Sequence, residues 1–284
     1  MVNKYRHKYN DIEIVIDYNL YADLILFYDD MVNSQMDMVL VIDGHEGTGK
    51  SFTARKLGAL LSSWSKLPFG VDNIHFDIDP YIESSESGRK YQVNILDESR
   101  KVVNIKRSMS KSNVKFTNFL SENRDKNQAH ILVLPAVHDL DPYISYWRMS
   151  MNIHHIKWHI NSPKSLSGKT LDRGNYCVYD KTQLRKYMMN KDKYGKYTYP
   201  EKPMYNGKFD GQDVFYDYEV NQYEKKKQLE RARKYDETMA AHDHIEQRNL
   251  LIRTLIKDGK NYDEVAKLCK LSESTIRAAV RGKK

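Results

Sequence analysis

The sequence predicts an α/β protein built on a parallel sheet, followed by a smaller all-α unit. Three observations predict it. Apolar strand-like runs alternate with helix-compatible segments over residues 11–160, the pattern of parallel strands joined by helical crossovers. The stretch Gly44-His45-Glu46-Gly47-Thr48-Gly49-Lys50-Ser51 reads G-x-x-x-x-G-K-S between an apolar strand and a helix. Residues 244–284 carry short amphipathic helical patterns separated by turns.

Taken in order, residues 11–16 (Asp-Ile-Glu-Ile-Val-Ile) alternate as a short strand, and Tyr18 to Val32 spaces its apolar residues as an amphipathic helix. Met38 to Ile42 is the strand that leads into the glycine-rich turn, and Phe52 to Leu61 is the helix after it. Leu67-Pro68-Phe69-Gly70 is a turn, Ile74 to Ile78 a second strand, and Pro80 to Lys90 a polar surface connection. Tyr91 to Leu96 is an apolar strand ending in Asp97-Glu98. A basic helical region follows, with Arg100, Lys101, Lys106, Arg107, Lys111 and Lys115 among apolar residues. His130 to Leu134 and Ile153 to Ile160 complete the strands.

The glycine-rich turn points to phosphate chemistry. A strand, a tight turn and a helix N-terminus aim backbone N–H groups at one point, where they cradle phosphate oxygens. Gly44, Gly47 and Gly49 permit backbone angles and close approach that a β-carbon blocks, and Thr48 lies in the same cradle. Lys50 would reach the β- and γ-phosphates, and the Ser51 hydroxyl would ligate Mg²⁺. The strand ending in Asp97-Glu98 supplies the complementary half: Asp97 for the Mg²⁺ shell, Glu98 to orient and polarise an attacking water. ATP and Mg²⁺ are therefore the expected cofactors.

Composition narrows the class. The 284 residues carry a net charge of +8, and 40% are hydrophobic, as in ordinary globular proteins. Within residues 222–284 there are 16 Lys/Arg against 10 Asp/Glu, so most of the excess positive charge lies there and suggests a polyanionic partner. Cys177 and Cys269 match no metal-binding spacing and read as free thiols of a reducing compartment. No run of about 18 apolar residues is present, and no apolar segment follows the basic first residues as a signal peptide requires. A cytoplasmic protein without a membrane partner is expected. The 21 tyrosines fit either base stacking or a compositional bias of the source.

The order of strand, glycine-rich loop, strand, Asp-Glu, then arginine before an apolar strand resembles additional-strand P-loop ATPases with a RecA-like core. Met109-Ser110-Lys111-Ser112-Asn113, Asn123-Arg124-Asp125-Lys126-Asn127, Pro135, and Leu140-Asp141-Pro142-Tyr143-Ile144 with Arg148 look like the FtsK–HerA branch. Within that branch the likeness is to zonular-occludens-toxin-like and viral or plasmid DNA-pumping ATPases. The resemblance covers residues 35–160. It implies that Arg124 acts in trans on a neighbour's γ-phosphate in a homo-oligomeric ring. Two departures stand out. The fourth strand ends Leu134-Pro135-Ala136, where the family often carries a polar sensor, with His138 and Asp139 the nearest substitutes. The transmembrane helix of membrane-anchored relatives is missing, which argues against a secretion-coupled role.

Residues 161–221 read as a small irregular β-rich extension. Asn161 to Gly174 is loop-like, residues 176–179 and 196–199 are strands around a short helix at 181–189, and Asn206-Gly207 and Asp210-Gly211 are turn signals. Tyr218 to Lys257 is strongly helical, with a break expected near Ala240–Asp243. The domain reading is thus a core over 1–160, the extension over 161–221, a helical linker over 222–243 and a helical domain over 244–284. Gly259 closes the long helix.

Residues 262–277 resemble a helix-turn-helix. Val265, Ala266 and Leu268 form the inner face of the first helix, Leu271 plugs the turn, Ser272 caps the second helix and Ile276 packs inward. Lys270 stands where glycine is usual, which requires positive φ or a different turn. Glu273, Ser274, Thr275 and Arg277 would face the major groove, with Arg281, Lys283 and Lys284 near phosphates. The same fold also serves as a protein-interaction module.

Two function classes follow. One is an oligomeric ATP-driven DNA-translocating, packaging or transfer motor of a virus or mobile element, in host cytoplasm if viral, whose basic stretch with Lys106, Arg107 and Lys111 grips the DNA backbone and which has a possible viral or plasmid protein partner. The other is an ATP-controlled, site-specific DNA-binding switch of the partition, transposition-helper or transcriptional kind.

Overall fold

The computed structural model describes residues 4–34, 36–97, 111–161, 169–189 and 202–281. The chain forms two compact units, Met1–Glu224 and Lys225–Lys284.

Among the described residues the first unit is built on a seven-stranded sheet with helices on both faces. Its parallel strands are β3 (Met38–Gly44), β4 (Ile74–His75), β5 (Val93–Leu96), β6 (Ala129–Val133) and β7 (Met151–His155). Two antiparallel strands, β10 (Asn175–Asp180) and β11 (Tyr205–Lys208), extend one edge. The order is β11-β10-β7-β3-β6-β5-β4, so β6 is an additional strand inserted between β3 and β5. Every residue of β3 is buried, as a central parallel strand covered on both faces requires.

Alternation along β3 assigns the faces. Leu40 and Ile42 point into one apolar core with Ile131, Val133, Ile95 and Ile153. That core is closed by α1 (Tyr18–Asn33) and α2 (Lys50–Ser65). Val39 and Val41 point into the opposite core with Leu96 and Leu132, under α3 (Ile78–Ser87), α4 (Lys111–Glu122) and α5 (Lys181–Met189). Ahead of α1 lies the hairpin of β1 (Lys4–Tyr9) and β2 (Ile12–Asp17). A second hairpin, β8 (Trp158–Asn161) with β9 (Lys169–Asp172), stands apart from the sheet and is largely exposed.

Several expectations are corrected. Residues 80–90 are no surface connection but mostly α3, whose Ile78, Tyr81, Ile82 and Ser85 are buried at helical spacing. Asp77 accepts a hydrogen bond from Ile78 N at its start, and Pro80 falls in the first turn, where its missing N–H is tolerated. The expected strand over 74–78 is only the two residues of β4. Ile153 to Ile160 divides between β7 and the detached β8. A segment of the loop expected over 161–174 is β9, and the strand expected at 196–199 lies outside the described residues. Asn206-Gly207 is not a turn but the middle of β11. Glycine is required there because a β-carbon would collide with the Asp17 carboxylate and the Tyr176 hydroxyl, which are themselves bonded at 2.6 Å. Strand β1 gives no signal in the sequence, because Lys-Tyr-Arg-His-Lys-Tyr has no apolar alternation.

The second unit holds most of α6 (Asp217–Lys257), then α7 (Tyr262–Cys269) and α8 (Glu273–Arg281). Helix α6 runs unbroken through 240–243. No glycine or proline interrupts it there, and its two alanines favour helix. Ile252, Val265, Ala266, Ile276 and Ala279 form the core of this unit. Leu268 does not belong to it and is exposed: the inner stripe is Tyr262, Val265, Ala266 and Cys269, and Leu268 lies roughly 110° from its centre at about 100° per residue. Asn261 and Glu264 form a capping box at the start of α7. Lys270 takes the left-handed conformation at φ 52°, so the turn is made without glycine. Ser272 Oγ accepts from Thr275 N at 3.3 Å as the cap of α8.

Gly207→Ala is expected to destabilise the first unit by about 1–3 kcal/mol through overpacking, read as a lower urea midpoint. A surface alanine substitution at Lys8 should leave the midpoint within about 0.5 kcal/mol.

Candidate nucleotide site

The glycine-rich loop crosses from the carboxyl end of β3 to the amino end of α2. Gly44, Gly47 and Gly49 all have positive φ, at 125°, 77° and 103°. Gly44 is the most constrained, because a β-carbon there would strike the His155 carbonyl. Turning the loop this way leaves its carbonyls to be satisfied elsewhere. Thr48 O accepts from Gly174 N at 2.9 Å and from His155 Nδ1 at 3.2 Å. The acceptor is a carbonyl, so Nδ1 carries the proton. Gly44 O and His45 O accept from Lys50 Nζ at 2.7 and 2.8 Å. Thr48 itself is buried, with its hydroxyl donating to His45 O at 2.7 Å. Helix α2 has no acidic residue in its first turn and no side-chain cap, which leaves its N-terminal dipole to an anion.

Beneath the loop sits Asp43, fully buried. One carboxylate oxygen accepts from Val137 N at 2.7 Å. The other accepts from Asn152 Nδ2 at 3.0 Å and pairs with His154 Nδ1 at 3.1 Å. One side chain thereby ties β3 to β7 and to the turn after β6. Of the two sensor substitutes, His138 and Asp139 both lie in that turn, and burial pushes the His138 imidazole below its ordinary range.

Asp97 ends β5 on the same edge of the sheet, buried, with its N–H on His75 O at 2.8 Å. Its Oδ2 accepts from the Tyr223 hydroxyl at 2.6 Å, and the Ser51 side chain lies beside the same phenol. A carboxylate only accepts, so the phenol donates to Asp97. Burial first, and the Asp97 charge second, push the Tyr223 phenol above its ordinary range. The ring packs against Phe76, with centroids 5.5 Å apart, and beneath the Arg55 guanidinium at 4.6 Å. Arg55 is in turn paired with Asp213.

Ser51 and Asp97 thus both lie beside the Tyr223 hydroxyl. They are hard oxygen donors of the kind Mg²⁺ takes, and they fit that ion. Glu98, Lys106 and Arg107 lie outside the described residues, as do Lys283 and Lys284. Lys111 is the first residue of α4. Arg124 is not brought to this edge: it lies in the turn Asn123–Lys126 that leads into the amino end of β6, exposed, with Nη2 on the Tyr143 hydroxyl at 3.1 Å. On α8, Glu273, Ser274, Arg277 and Arg281 are exposed and Thr275 is half-buried. Arg277 is held by Glu273 at 2.5 Å and lies over the Tyr262 ring at 4.8 Å.

Sequence reasoning missed Asp43, His155 and Tyr223. Asp43 carried one signal, an acid closing an apolar strand directly before Gly44. Tyr223 carried none, since its partner Asp97 is 126 residues away.

Among solved structures the chain is similar to the genome packaging NTPase of Sulfolobus turreted icosahedral virus 2 in complex with ATP-gammaS, at 16% identity and TM-score 0.33, covering 52% of this chain and 94% of that one. It is similar to the DNA-packaging ATPase from Sulfolobus turreted icosahedral virus at 17% and 0.35, over 52% and 94%. The N-terminal domain of zonular occludens toxin from Neisseria meningitidis matches at 14% and 0.32, over 51% and 84%. No protein-family model and no curated protein matches. Identities this low leave the chemistry to be argued from this chain's own residues.

Burial holds His155 at a pKa of about 4 and His130, behind the sheet on the Tyr81 hydroxyl at 2.5 Å, at about 3. Both fold neutral, while the unfolded chain protonates near 6.5. Their contribution to stability is therefore complete above about pH 6.5 and is lost as pH drops from there towards 4, because the unfolded state binds the protons first. His155→Gln should flatten some of that fall in thermal melts between about pH 7 and 4.5. An unchanged slope would place the acid sensitivity elsewhere.

Proposed function

We propose that this chain is a P-loop ATPase that acts on DNA as an oligomer, in the manner of a packaging or transfer motor. One observation carries the nucleotide half of the reading: Ser51, after the glycine loop, and Asp97, two strands away across β6, both lie beside the Tyr223 hydroxyl. Two hard donors brought together at the mouth of a phosphate cradle suit a metal–nucleotide.

In this reading the N–H groups of residues 44–51 hold the phosphates. Lys50 leaves the Gly44 and His45 carbonyls to meet the β- and γ-phosphates, and Ser51 and Asp97 hold the metal. Mg²⁺, when bound, neutralises charge on the β- and γ-oxygens. Glu98 orients the water. Arg124 serves a neighbour's nucleotide. Lys106, Arg107 and Lys111 grip the DNA backbone without reading sequence, and Glu273, Ser274, Thr275, Arg277, Arg281, Lys283 and Lys284 provide the contacts of a DNA-reading unit. Among the described residues no helix is long and apolar enough to cross a membrane.

The helix-turn-helix arrangement of α7 and α8 also favours a second reading, an ATP-controlled site-specific DNA-binding switch. ATPase assays against duplexes of graded length and of varied sequence separate the two. A motor is stimulated by length; a switch responds to one sequence.

Lys50→Ala should abolish hydrolysis and weaken nucleotide binding, whereas Glu98→Gln should bind ATP and stall. A Glu98→Gln protein that turns over at the wild-type rate would refute its role. Mixing Arg124→Ala with Glu98→Gln subunits, each inactive alone, should restore partial activity at mixed interfaces. Activity linear in wild-type concentration, from a species that sizes as a monomer, would refute the trans arrangement.

A further inference from the structure

We propose that Tyr223 competes with the nucleotide's metal ion for Asp97, so that loading the site requires the first turns of α6 to release. The proposal rests on reading this edge of the sheet as a metal–nucleotide site. Its starting point is occupancy. The Tyr223 hydroxyl is 2.6 Å from Asp97 Oδ2, with the Ser51 side chain beside it, so its oxygen takes the place next to that carboxylate which a metal ion would need. Mg²⁺ requires oxygen ligands at about 2.0–2.1 Å in near-octahedral array and seldom yields a place. A neutral phenol that spends its proton on Asp97 is no substitute for a metal-bound water, and a cation there would repel that proton. Ion and hydroxyl exclude one another.

The plug is built into the fold rather than draped on it. Tyr223 is 2% exposed. The segment that delivers it packs against α2, with Phe209, Val214 and Phe215 buried in the same core as that helix. Arg55 of α2 pairs with Asp213 and covers both the Phe215 and Tyr223 rings. Lys56 donates to the Asp210 carbonyl, and Lys4 pairs with Asp210 at 3.0 Å. The strap can stay anchored at 209–215 while the helix start carrying Tyr223 lets go.

The carbonyls of the loop that would cradle phosphates are held by Lys50, His155 and Gly174, and these three residues lie off the strap. Tyr223 should therefore oppose the metal and leave metal-free nucleotide untouched. The test is a Mg²⁺ titration of full-length wild type and Tyr223→Phe, reading binding of a fluorescent non-hydrolysable ATP analogue. The phenylalanine keeps the ring between Phe76 and Arg55 and removes only the hydroxyl. The Mg²⁺ concentration for half-maximal enhancement should fall about tenfold in the variant, the worth of a hydrogen bond to a charged group, with Mg²⁺-free binding unchanged. In wild type, amide exchange over residues 217–224 should quicken when analogue and Mg²⁺ are both present, and not with either alone. An equal or higher Mg²⁺ requirement in Tyr223→Phe, or no change in exchange, overturns the proposal while leaving the nucleotide site standing. Failure of either protein to bind the analogue at any Mg²⁺ concentration overturns the nucleotide reading and the proposal with it.

Discussion

A loop that presents its N–H groups to a ligand must turn its carbonyls away, and buried carbonyls need donors. The structure of the first unit depends on meeting that demand. Thr48 O is met from behind by His155 of β7 and by the backbone of Gly174, while Gly44 O and His45 O are met by Lys50. The first arrangement is made by a buried imidazole and by backbone, the second by one side chain reaching over the loop. In the proposed nucleotide site Lys50 would leave these carbonyls for phosphate, and that of His45 belongs to an exposed residue. The close approach of Gly44 to the His155 carbonyl follows from the same demand, since β7 must lie against the loop for its imidazole to reach Thr48.

Strand β7 thereby does more than complete a sheet. Its Asn152 and His154 side chains bind Asp43, and its His155 binds the loop. Asp43 passes the constraint to the turn after β6 through Val137 N. A buried carboxylate without such partners would be strongly unfavourable, so these bonds fix the carboxyl ends of three neighbouring strands relative to one another. Further out in the sheet, Tyr176 of β10 and Asp17 form a comparable tie, and glycine at 207 makes room for their hydrogen bond.

What was legible in the sequence was what local physics dictates. The glycines of the loop, the apolar central strands and the cap residue Ser272 act through neighbours a few positions away. At Lys270 the sequence left positive φ and a different turn both open, and the structure takes positive φ, at 52°. What was not legible depends on contacts between distant segments. Strand β1 is polar and exists because β2 pairs with it. The serines of α3 look like a loop until Tyr81 and Ile82 find the core. Asn206-Gly207 has turn chemistry, yet it is held extended by pairing with Tyr176 and Cys177. Tyr223 sits among 21 tyrosines, and nothing local distinguishes the one that reaches Asp97.

The placement of Arg124 bears on how copies of this chain would meet in the proposed assembly. The glycine loop and Asp97 lie at the carboxyl ends of the parallel strands, and Arg124 lies at the amino end of β6, next to Tyr143, which precedes β7. With β6 parallel to β3, a side chain at that end cannot reach a phosphate in its own loop without crossing the sheet. Any arginine contact must therefore join the amino edge of one copy to the carboxyl edge of another. Such an interface joins two different surfaces. Repeated head to tail it closes into a ring or grows as a filament, whereas a two-fold dimer satisfies it only where both surfaces of each copy meet their opposites at once. The position of one exposed arginine therefore requires any phosphate-sharing assembly of this protein to bring the amino edge of one copy against the carboxyl edge of the next.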